Sequence, residues 1–267
     1  MGIFSRGRNN PLHQAVIDND ISAAQNLSAH KELFFEANNM GFTAYELAQF
    51  LQKREILKIF NPKEHSIGIK ILLPDEKEVK IFSEKDFLDS FGFRYLKTLH
   101  FANYKDLNGS INKFPWNYHS IFFNQDSHRL GRQYQDKLVE GDTADLSIRW
   151  IDNTLGYGVF ADTSIDENNF VGEYTGLVRQ LYRCSSDPNA YCFHYPTRFL
   201  SMKIYVVDAL HEGNILRFVN HSDIPNLIPV CMVDRGLTHI AFMTTRRIQE
   251  GEQLTIDYGE NYWKRRT

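Results

Sequence analysis

Two stretches in the C-terminal half decide the fold. Residues 213–222 read GNILRFVNHS, and residues 251–259 read GEQLTIDYG. Two shorter stretches precede them, GYGVFA at 156–161 and GEYTG at 172–176. A short glycine-rich stretch such as GYG is a weak signal by itself. The four stretches occur in one order within about one hundred residues, at a spacing that fits a single domain.

The sequence around these stretches has a β-rich texture from about residue 143 onwards. Short runs of β-branched and aromatic residues alternate with Gly, Asp and Asn. Runs of this length with such breaks predict a compact, mostly β domain. The predicted runs are 146–151, 158–161, 170–174, 191–195, 204–207 and 239–244.

Over residues 143–263 the chain resembles SET-domain protein-lysine methyltransferases. The stretch R-F-x-N-H-S, completed by Pro225-Asn226, and the stretch G-E-x-L-T-x-D-Y-G are the most specific. The resemblance implies small twisted β-sheets, S-adenosyl-L-methionine as cofactor and a protein partner that bears the target lysine. It also implies a pseudoknot-like path in which residues 252–263 thread beneath the loop 217–226, an exception to the general avoidance of knots.

Methyl transfer to an amine places its own demands on a site. The reaction is an in-line displacement that needs a neutral amine, and with a pKa near 10.4 only about one free lysine in a few thousand is neutral at pH 7. The site must therefore desolvate and aim the amine. The resemblance assigns this task to Tyr258 as the catalytic tyrosine, with Tyr174 beside it. A tyrosine in a β-rich domain is otherwise usually a half-buried core residue.

The resemblance also implies a cofactor site and a lysine channel. Phe193 and Ile256 would line the channel and bind the substrate. Ile256 stands two residues before Tyr258 and has no hydroxyl to hold a water molecule, so we expect di- or trimethylation. The residues expected to bind the cofactor are Gly156, Tyr157, Gly158, Tyr191, Asn220, His221 and Trp263.

Three positions near the expected site need separate consideration. Trp263 would either stack on the adenine or anchor the core. Arg217 is expected to be a buried structural charge paired with a carboxylate. Asp223 stands where many family members have a cysteine, and no C-terminal cysteine cluster follows. We therefore expect no metal site, and we expect Tyr262, Trp263 or N-terminal segments to complete the channel.

The first sixty residues predict helices with an internal repeat. Residues 10–15 (NPLHQA) and 43–48 (TAYELA) begin similar units, and 43 − 10 gives the 33-residue period of ankyrin repeats. The segment resembles about two such repeats that pack against the following domain, and an ordinary helical hairpin is the alternative. Fused repeats of this kind would suit a microbial enzyme that acts on host proteins.

The fold class expected is therefore α+β. We predict an ankyrin-like segment at 1–61, a connector at 62–142 and the SET domain at 143–267. Asn61-Pro62 should end the first helices. The connector should have strands at 67–73 and 78–82 and an amphipathic helix over 84–104, interrupted near Gly92; the part at 105–142 has no clear period.

Composition excludes several other classes of protein. The formal net charge of −3 gives no reason to expect nucleic-acid binding. Cys184, Cys192 and Cys231 form no C-x-x-C pair, which fits a reducing compartment. No apolar run is long enough to span a membrane. We expect a monomer that is intracellular, in the cytoplasm or nucleus, or secreted into a host cell.

Two other functions remain open from the sequence. The SET-like domain could have lost catalysis and serve as a binding or adaptor protein that recruits partners through its repeats. The chain could also methylate a small amine, although no residue distinguishes that activity. Intact Tyr174, Asn220, His221 and Tyr258 favour an active protein-lysine methyltransferase.

Overall fold

The structure is a computed structural model that describes residues 8–60, 68–111, 124–181, 189–197 and 204–264. The predicted helix stop at Asn61-Pro62 and the residue Cys184 lie outside this part of the chain. The chain divides into two compact units, residues 1–65 with 99–111 and residues 66–98 with 112–267. The division into three segments stays a prediction.

The structure mixes helices and strands, as the sequence predicts. The described helices are α1 (Pro11–Asp18), α2 (Ile21–Leu27), α3 (Glu32–Phe35), α4 (Ala44–Phe50), α5 (Arg54–Phe60), α6 (Glu84–Phe91), α7 (Tyr104–Ser110), α8 (Gln125–Gln133), α9 (Gln135–Glu140) and α10 (Glu260–Trp263). The described strands are β1 (Ile69–Leu72), β2 (Lys80–Phe82), β3 (Arg94–Tyr95), β4 (His100–Phe101), β5 (Leu146–Asp152), β6 (Gly156–Ala161), β7 (Phe170–Glu173), β8 (Leu177–Leu181), β9 (Cys192–Tyr195), β10 (Ile204–Asp208), β11 (Glu212–Gly213), β12 (Asn220–His221), β13 (Leu227–Asp234), β14 (Leu237–Thr244) and β15 (Gln253–Ile256). None of the described helices is long and apolar enough to cross a membrane.

The first unit is helical, and its two predicted repeat starts have the same local structure. The Asn10 side chain accepts a hydrogen bond from the His13 N–H, and the His13 ring accepts one from the Asn10 N–H. Thr43 and Glu46 form the same reciprocal cap at the start of α4. Such capping boxes satisfy N–H groups that have no partner within the helix. The helical prediction is confirmed for this segment.

Residues 99–111 belong to the first unit because their aromatic and aliphatic side chains pack into its core. The rings of Phe42 and Phe50 lie 5.4 Å apart, and the Phe101 ring lies 6.1 Å from Phe50. Leu107 of α7 is also fully buried. The connector predicted from the sequence therefore contributes residues to both units.

In the second unit, α6 ends where the sequence has Gly92. This glycine adopts φ +72°, a left-handed conformation that ends helices readily. The chain continues as strand β3 instead of resuming a helix, so the helix predicted over 84–104 extends only to Phe91. β3 pairs in parallel with β11, Arg94 opposite Glu212 and Tyr95 opposite Gly213.

Three sheets form most of the second unit. Six strands follow the order β12-β15-β6-β5-β1-β2, and β13-β14-β7 form a second sheet. β10 pairs antiparallel with β8 and with β9 in a third. β14 lies between two strands, and all eight of its residues are buried.

One short parallel pairing positions the site. Asn220 of β12 lies opposite Thr255 of β15, and His221 lies opposite Ile256. The Asn226 side chain reinforces this pairing, because it donates to the Gln253 carbonyl oxygen and accepts from the Thr255 N–H, both at 2.8 Å. The two most specific sequence stretches therefore lie side by side.

Candidate active site

A cavity of about 710 Å³ lies in the second unit beside the β12–β15 pairing. A volume of this size is within the range of small-molecule sites. Eight of the predicted site residues line it: Gly156, Tyr157, Tyr174, Tyr191, Phe193, Asn220, Ile256 and Tyr258. The other three predicted site residues do not line the cavity among the described residues, but each contacts a residue that does. They are Gly158, His221 and Trp263.

Tyr258 follows β15, and two polar contacts hold it against β12. Its hydroxyl donates to the Val219 carbonyl oxygen at 2.9 Å, and its N–H donates to His221 Nδ1 at 3.2 Å. A hydroxyl that donates one hydrogen bond still has an oxygen that accepts. The oxygen of Tyr258 is thereby oriented at the cavity wall.

Tyr174 is held differently from Tyr258. It is 3% exposed, and its hydroxyl donates to the Tyr191 carbonyl oxygen at 2.9 Å. Burial raises the pKa of Tyr174 well above its ordinary value, because the ionised form would lose its hydration. Tyr174 therefore stays neutral and fixes the backbone at Tyr191.

Two aromatic residues, Tyr174 and Phe193, line part of the cavity, and the ring of Phe242 packs against both. Tyr174 lies 4.6 Å from Phe193, and Phe242 lies 5.7 Å from Phe193 and 5.9 Å from Tyr174. Phe242 is fully buried and supports the other two from behind. Side chains of this kind keep water away from a bound amine, and the loss of hydration favours the neutral form of the amine.

Asn220 and the glycines of β6 form another part of the site. The Asn220 side-chain amide donates to the Tyr157 carbonyl oxygen at 3.1 Å. A Cβ atom at position 158 would lie 2.7 Å from a Gln253 side-chain atom and 3.2 Å from the Asn220 amide nitrogen. Gly158 is therefore required for close packing against these side chains. Gly156 is required for another reason, since it adopts φ +70°.

His221 and Trp263 pack beside Tyr258. The Trp263 ring lies 5.0 Å from His221, and it stacks at 6.4 Å from Tyr258 with an interplanar angle of 25°. Trp263 is 45% exposed. An indole this exposed is not a core anchor. Stacking of Trp263 on the adenine stays a prediction.

Among the described residues, Arg217 does not have the carboxylate partner that was expected from the sequence. Its guanidinium lies 3.7 Å from the Phe93 ring centroid and 4.0 Å from that of Tyr191. Its Nη1 donates to the Leu210 carbonyl oxygen at 3.3 Å. Within the described ranges no carboxylate forms an ion pair with it, and it lines the cavity. The expectation was wrong because ring faces replace the carboxylate as partners of the cation.

Sequence reasoning missed several other lining residues. Phe218 lies in the R-F-x-N-H stretch but carried no assigned role, and Leu155 directly precedes the first glycine. Val219 contributes its backbone carbonyl to Tyr258, which no side-chain pattern could reveal. Tyr262 was named only as one of several residues that would complete the channel. Its ring lies 4.5 Å from that of Tyr258.

Comparisons with known proteins show which family this part of the chain is similar to. Residues 156–259 match the family model of the SET domain. The chain is 38% identical over 114 residues to the histone-lysine N-methyltransferase EHMT1 of Mus musculus, covering 41% of this chain and 9% of that protein. It is 33% identical over 138 residues to the N-lysine methyltransferase KMT5A-A of Danio rerio, covering 48% of this chain and 40% of that protein. The chain thus spans well under half the length of these relatives.

The fold also resembles a solved structure. The crystal structure of ATXR5 in complex with histone H3.1 mono-methylated on R26 aligns with a TM-score of 0.52 at 21% identity, covering 66% of this chain and 85% of that one. At this identity the likeness concerns the fold alone. The match confirms the predicted SET domain for residues 156–259, and the mixed helix-and-sheet architecture is confirmed as well.

Proposed function

We propose that this chain is a protein-lysine N-methyltransferase that uses S-adenosyl-L-methionine. The observation that carries the proposal is the β12–β15 pairing, which brings Asn220 and Tyr258 to one cavity that aromatic rings also line. The SET-domain match over 156–259 and the names of the relatives support the same reaction class.

The residues present fit the proposed cofactor. The cavity of about 710 Å³ combines an amide, backbone groups and aromatic rings, which suits a ligand with an amino-acid end and an adenine. Asn220, the backbone at 156–158 and Tyr191 would hold it, with His221 and Trp263 beside the adenine. When bound, it supplies an electrophilic methyl group on a sulfonium sulfur.

The protein's own contribution is to hold and desolvate the lysine amine. Phe193 and Tyr174 form an apolar wall that favours the neutral amine, which is the nucleophile. The hydrogen bond to Val219 fixes the Tyr258 oxygen. In the transition state this oxygen can accept from the N–H groups of the lysine amine or from the polarised C–H groups of the methyl group. Such preorganised groups act without reorganisation cost at the moment of reaction.

The path of the chain near the site forms part of the proposal. We propose that residues 252–263 thread beneath the loop 217–226. The parallel pairing of β12 with β15, the Tyr258 contact with Val219 and a 3.0 Å bond from the Ser222 N–H to the Ile256 carbonyl support this path. The arrangement would hold Tyr258 from two directions.

We also propose that the helical first unit resembles ankyrin repeats and selects protein substrates. The matching caps at Asn10 and Thr43 support a repeat of 33 residues. Deleting residues 1–61 would uncover Phe101, which is fully buried in that unit. A point substitution is therefore the cleaner test. Phe35→Ser, at a side chain 83% exposed, should change which proteins are labelled, whereas Ile81→Ser, 73% exposed in the second unit, should not.

The alternative function is a catalytically silent adaptor. The experiment that separates it from the proposal is incubation with isotope-labelled S-adenosylmethionine and lysates of bacterial and animal cells, for the wild type and for Tyr258→Phe. An active enzyme should label proteins, histones being the first to examine, and an enzyme that acts on host proteins should label the animal lysate preferentially. A wild type that binds the cofactor yet labels nothing in either lysate would favour the adaptor.

A further inference from the structure

Arg217 has an unusual environment for a charged side chain. Its guanidinium lies between two aromatic rings, 3.7 Å from the Phe93 centroid and 4.0 Å from the Tyr191 centroid. Its Nη1 donates to the Leu210 carbonyl oxygen, while its Nε is buried and has no hydrogen-bond partner among the described residues. The cation is therefore held mainly by the two ring faces.

Tyr191 contributes both to the lining of the cavity and to the anchoring of Tyr174. Its ring lines the cavity, and its carbonyl oxygen accepts the hydroxyl of Tyr174 at 2.9 Å. Its N–H donates to the Asn189 side chain at 2.9 Å. A displacement of Tyr191 would therefore disturb both the proposed cofactor wall and the anchor of Tyr174.

Phe93 is well supported on the other side of Arg217. Its ring lies 4.9 Å from Phe87, which is fully buried, and 5.8 Å from Phe218, which lines the cavity. It directly precedes β3, which pairs with β11 at the start of the stretch 213–222. Phe93 thus offers Arg217 a fixed surface from a segment outside the family match.

We infer that Arg217 is a positioning residue: stacked on Phe93, its guanidinium fixes Tyr191 at the cavity wall and thereby sets cofactor affinity. This inference rests on the proposed function. A planar guanidinium can contact two opposed ring faces at once, whereas a lysine ammonium is a compact point charge. Cation–π contacts that are partly desolvated are strong enough to hold a side chain in one orientation.

A double-mutant cycle tests this inference. Calorimetric titration with S-adenosylmethionine should show that Arg217→Met raises the Kd about tenfold when Tyr191 is present. In the Tyr191→Leu background, the same substitution should change the Kd less than about twofold, because the side chain through which it acts is gone. Arg217→Lys should resemble Arg217→Met, since it keeps the charge but loses the planar stack. An equal loss in both backgrounds, or full rescue by lysine, would overturn the inference.

Arg149 offers a matched control, because its guanidinium lies 5.1 Å from the Phe160 centroid and outside the described cavity lining. Arg149→Met should leave the Kd unchanged, even if thermal unfolding shows some loss of stability. If Arg217→Met does not fold, Phe93→Leu removes one ring of the stack and should raise the Kd only while Tyr191 is present. An unchanged Kd in that variant contradicts the inference.

A second readout does not depend on the cofactor. In NMR spectra of protein with isotope-labelled tyrosine rings, the resonance of Tyr191 is assigned by its loss in Tyr191→Phe. This resonance should shift in Arg217→Met and stay in place in Arg149→Met. If the wild type binds no S-adenosylmethionine, the proposed function fails while this measurement still decides the stacking. An unshifted Tyr191 resonance in Arg217→Met would overturn the positioning role whatever the cofactor result.

Discussion

The hydroxyl of Tyr258 donates a 2.9 Å hydrogen bond to the backbone carbonyl oxygen of Val219, which lies one residue before β12. The bond joins the end of the second specific stretch to the middle of the first. It fixes the direction of the hydroxyl hydrogen and leaves the oxygen able to accept another hydrogen bond. The proposed catalytic role of Tyr258 depends on this orientation.

Tyr258→Phe should lower kcat by about 100-fold, because a preorganised oxygen is lost from the transition state. The Kd for S-adenosylmethionine should stay within about twofold of the wild type, since the ring remains in place. Tyr262→Phe is the matched control, with a ring 4.5 Å from that of Tyr258, and should retain most of the turnover. Full turnover of Tyr258→Phe on a protein substrate would refute the assignment.

Asn220→Ala should weaken cofactor binding about tenfold, because the amide contacts the Tyr157 backbone at the cavity wall. Asn226→Ala removes the bonds to Gln253 and Thr255 and should lower the unfolding temperature more than it weakens binding. Calorimetry and thermal unfolding of both variants separate the two effects. Losses of affinity that merely follow losses of stability would make Asn220 a structural residue.

The product of the wild type should be a di- or trimethylated lysine. Ile256 lines the cavity, is 2% exposed and has no hydroxyl to hold water where a larger methylammonium must fit. Ile256→Tyr should shift the product towards fewer methyl groups, and Ile256→Phe, with a similar ring and no hydroxyl, should shift it less. Mass spectrometry of an exhaustively methylated substrate measures both, and a wild type that stops at one methyl group contradicts this expectation.

Acid stability should depend on Glu252 of the second stretch. A hydrogen bond from Arg246 lowers the pKa of Glu252 from its ordinary 4.5 to about 2, and the same carboxylate accepts from Asn226. The stabilisation is complete above the unfolded pKa of 4.5 and is lost as pH falls through about 2. Glu252→Gln should therefore cost about 1 kcal/mol of unfolding free energy at pH 7, after allowance for solvent screening.

The control for this effect is Glu260→Gln, at a side chain 85% exposed and paired with Lys264. Urea unfolding between pH 7 and pH 2 should show the stability of Glu252→Gln approaching that of the wild type as pH falls, with no such convergence for Glu260→Gln. A stability difference for Glu252→Gln that is constant down to pH 2 would contradict the coupling.

Side-chain patterns predicted eight of the residues that line the cavity, because the motifs place residues such as Asn220 and Tyr258 in or just after the paired strands β12 and β15. They could not predict that Tyr174 would bond the Tyr191 backbone, or that Arg217 would stack between rings. Both contacts join segments far apart in sequence. The helices α7 and α8 were also missed, although Asn103 and Asn124 cap them and could have indicated their starts. Their apolar positions are too few to give a helical period.

The most direct test of the central claim is to supply S-adenosylmethionine with a deuterated methyl group and a protein substrate, and to locate the label by tandem mass spectrometry. The account predicts deuterated methyl groups on lysine Nζ with the wild type, and far fewer with Tyr258→Phe at the same cofactor occupancy. Label that is absent from lysine, or equal transfer by the two proteins, would contradict it.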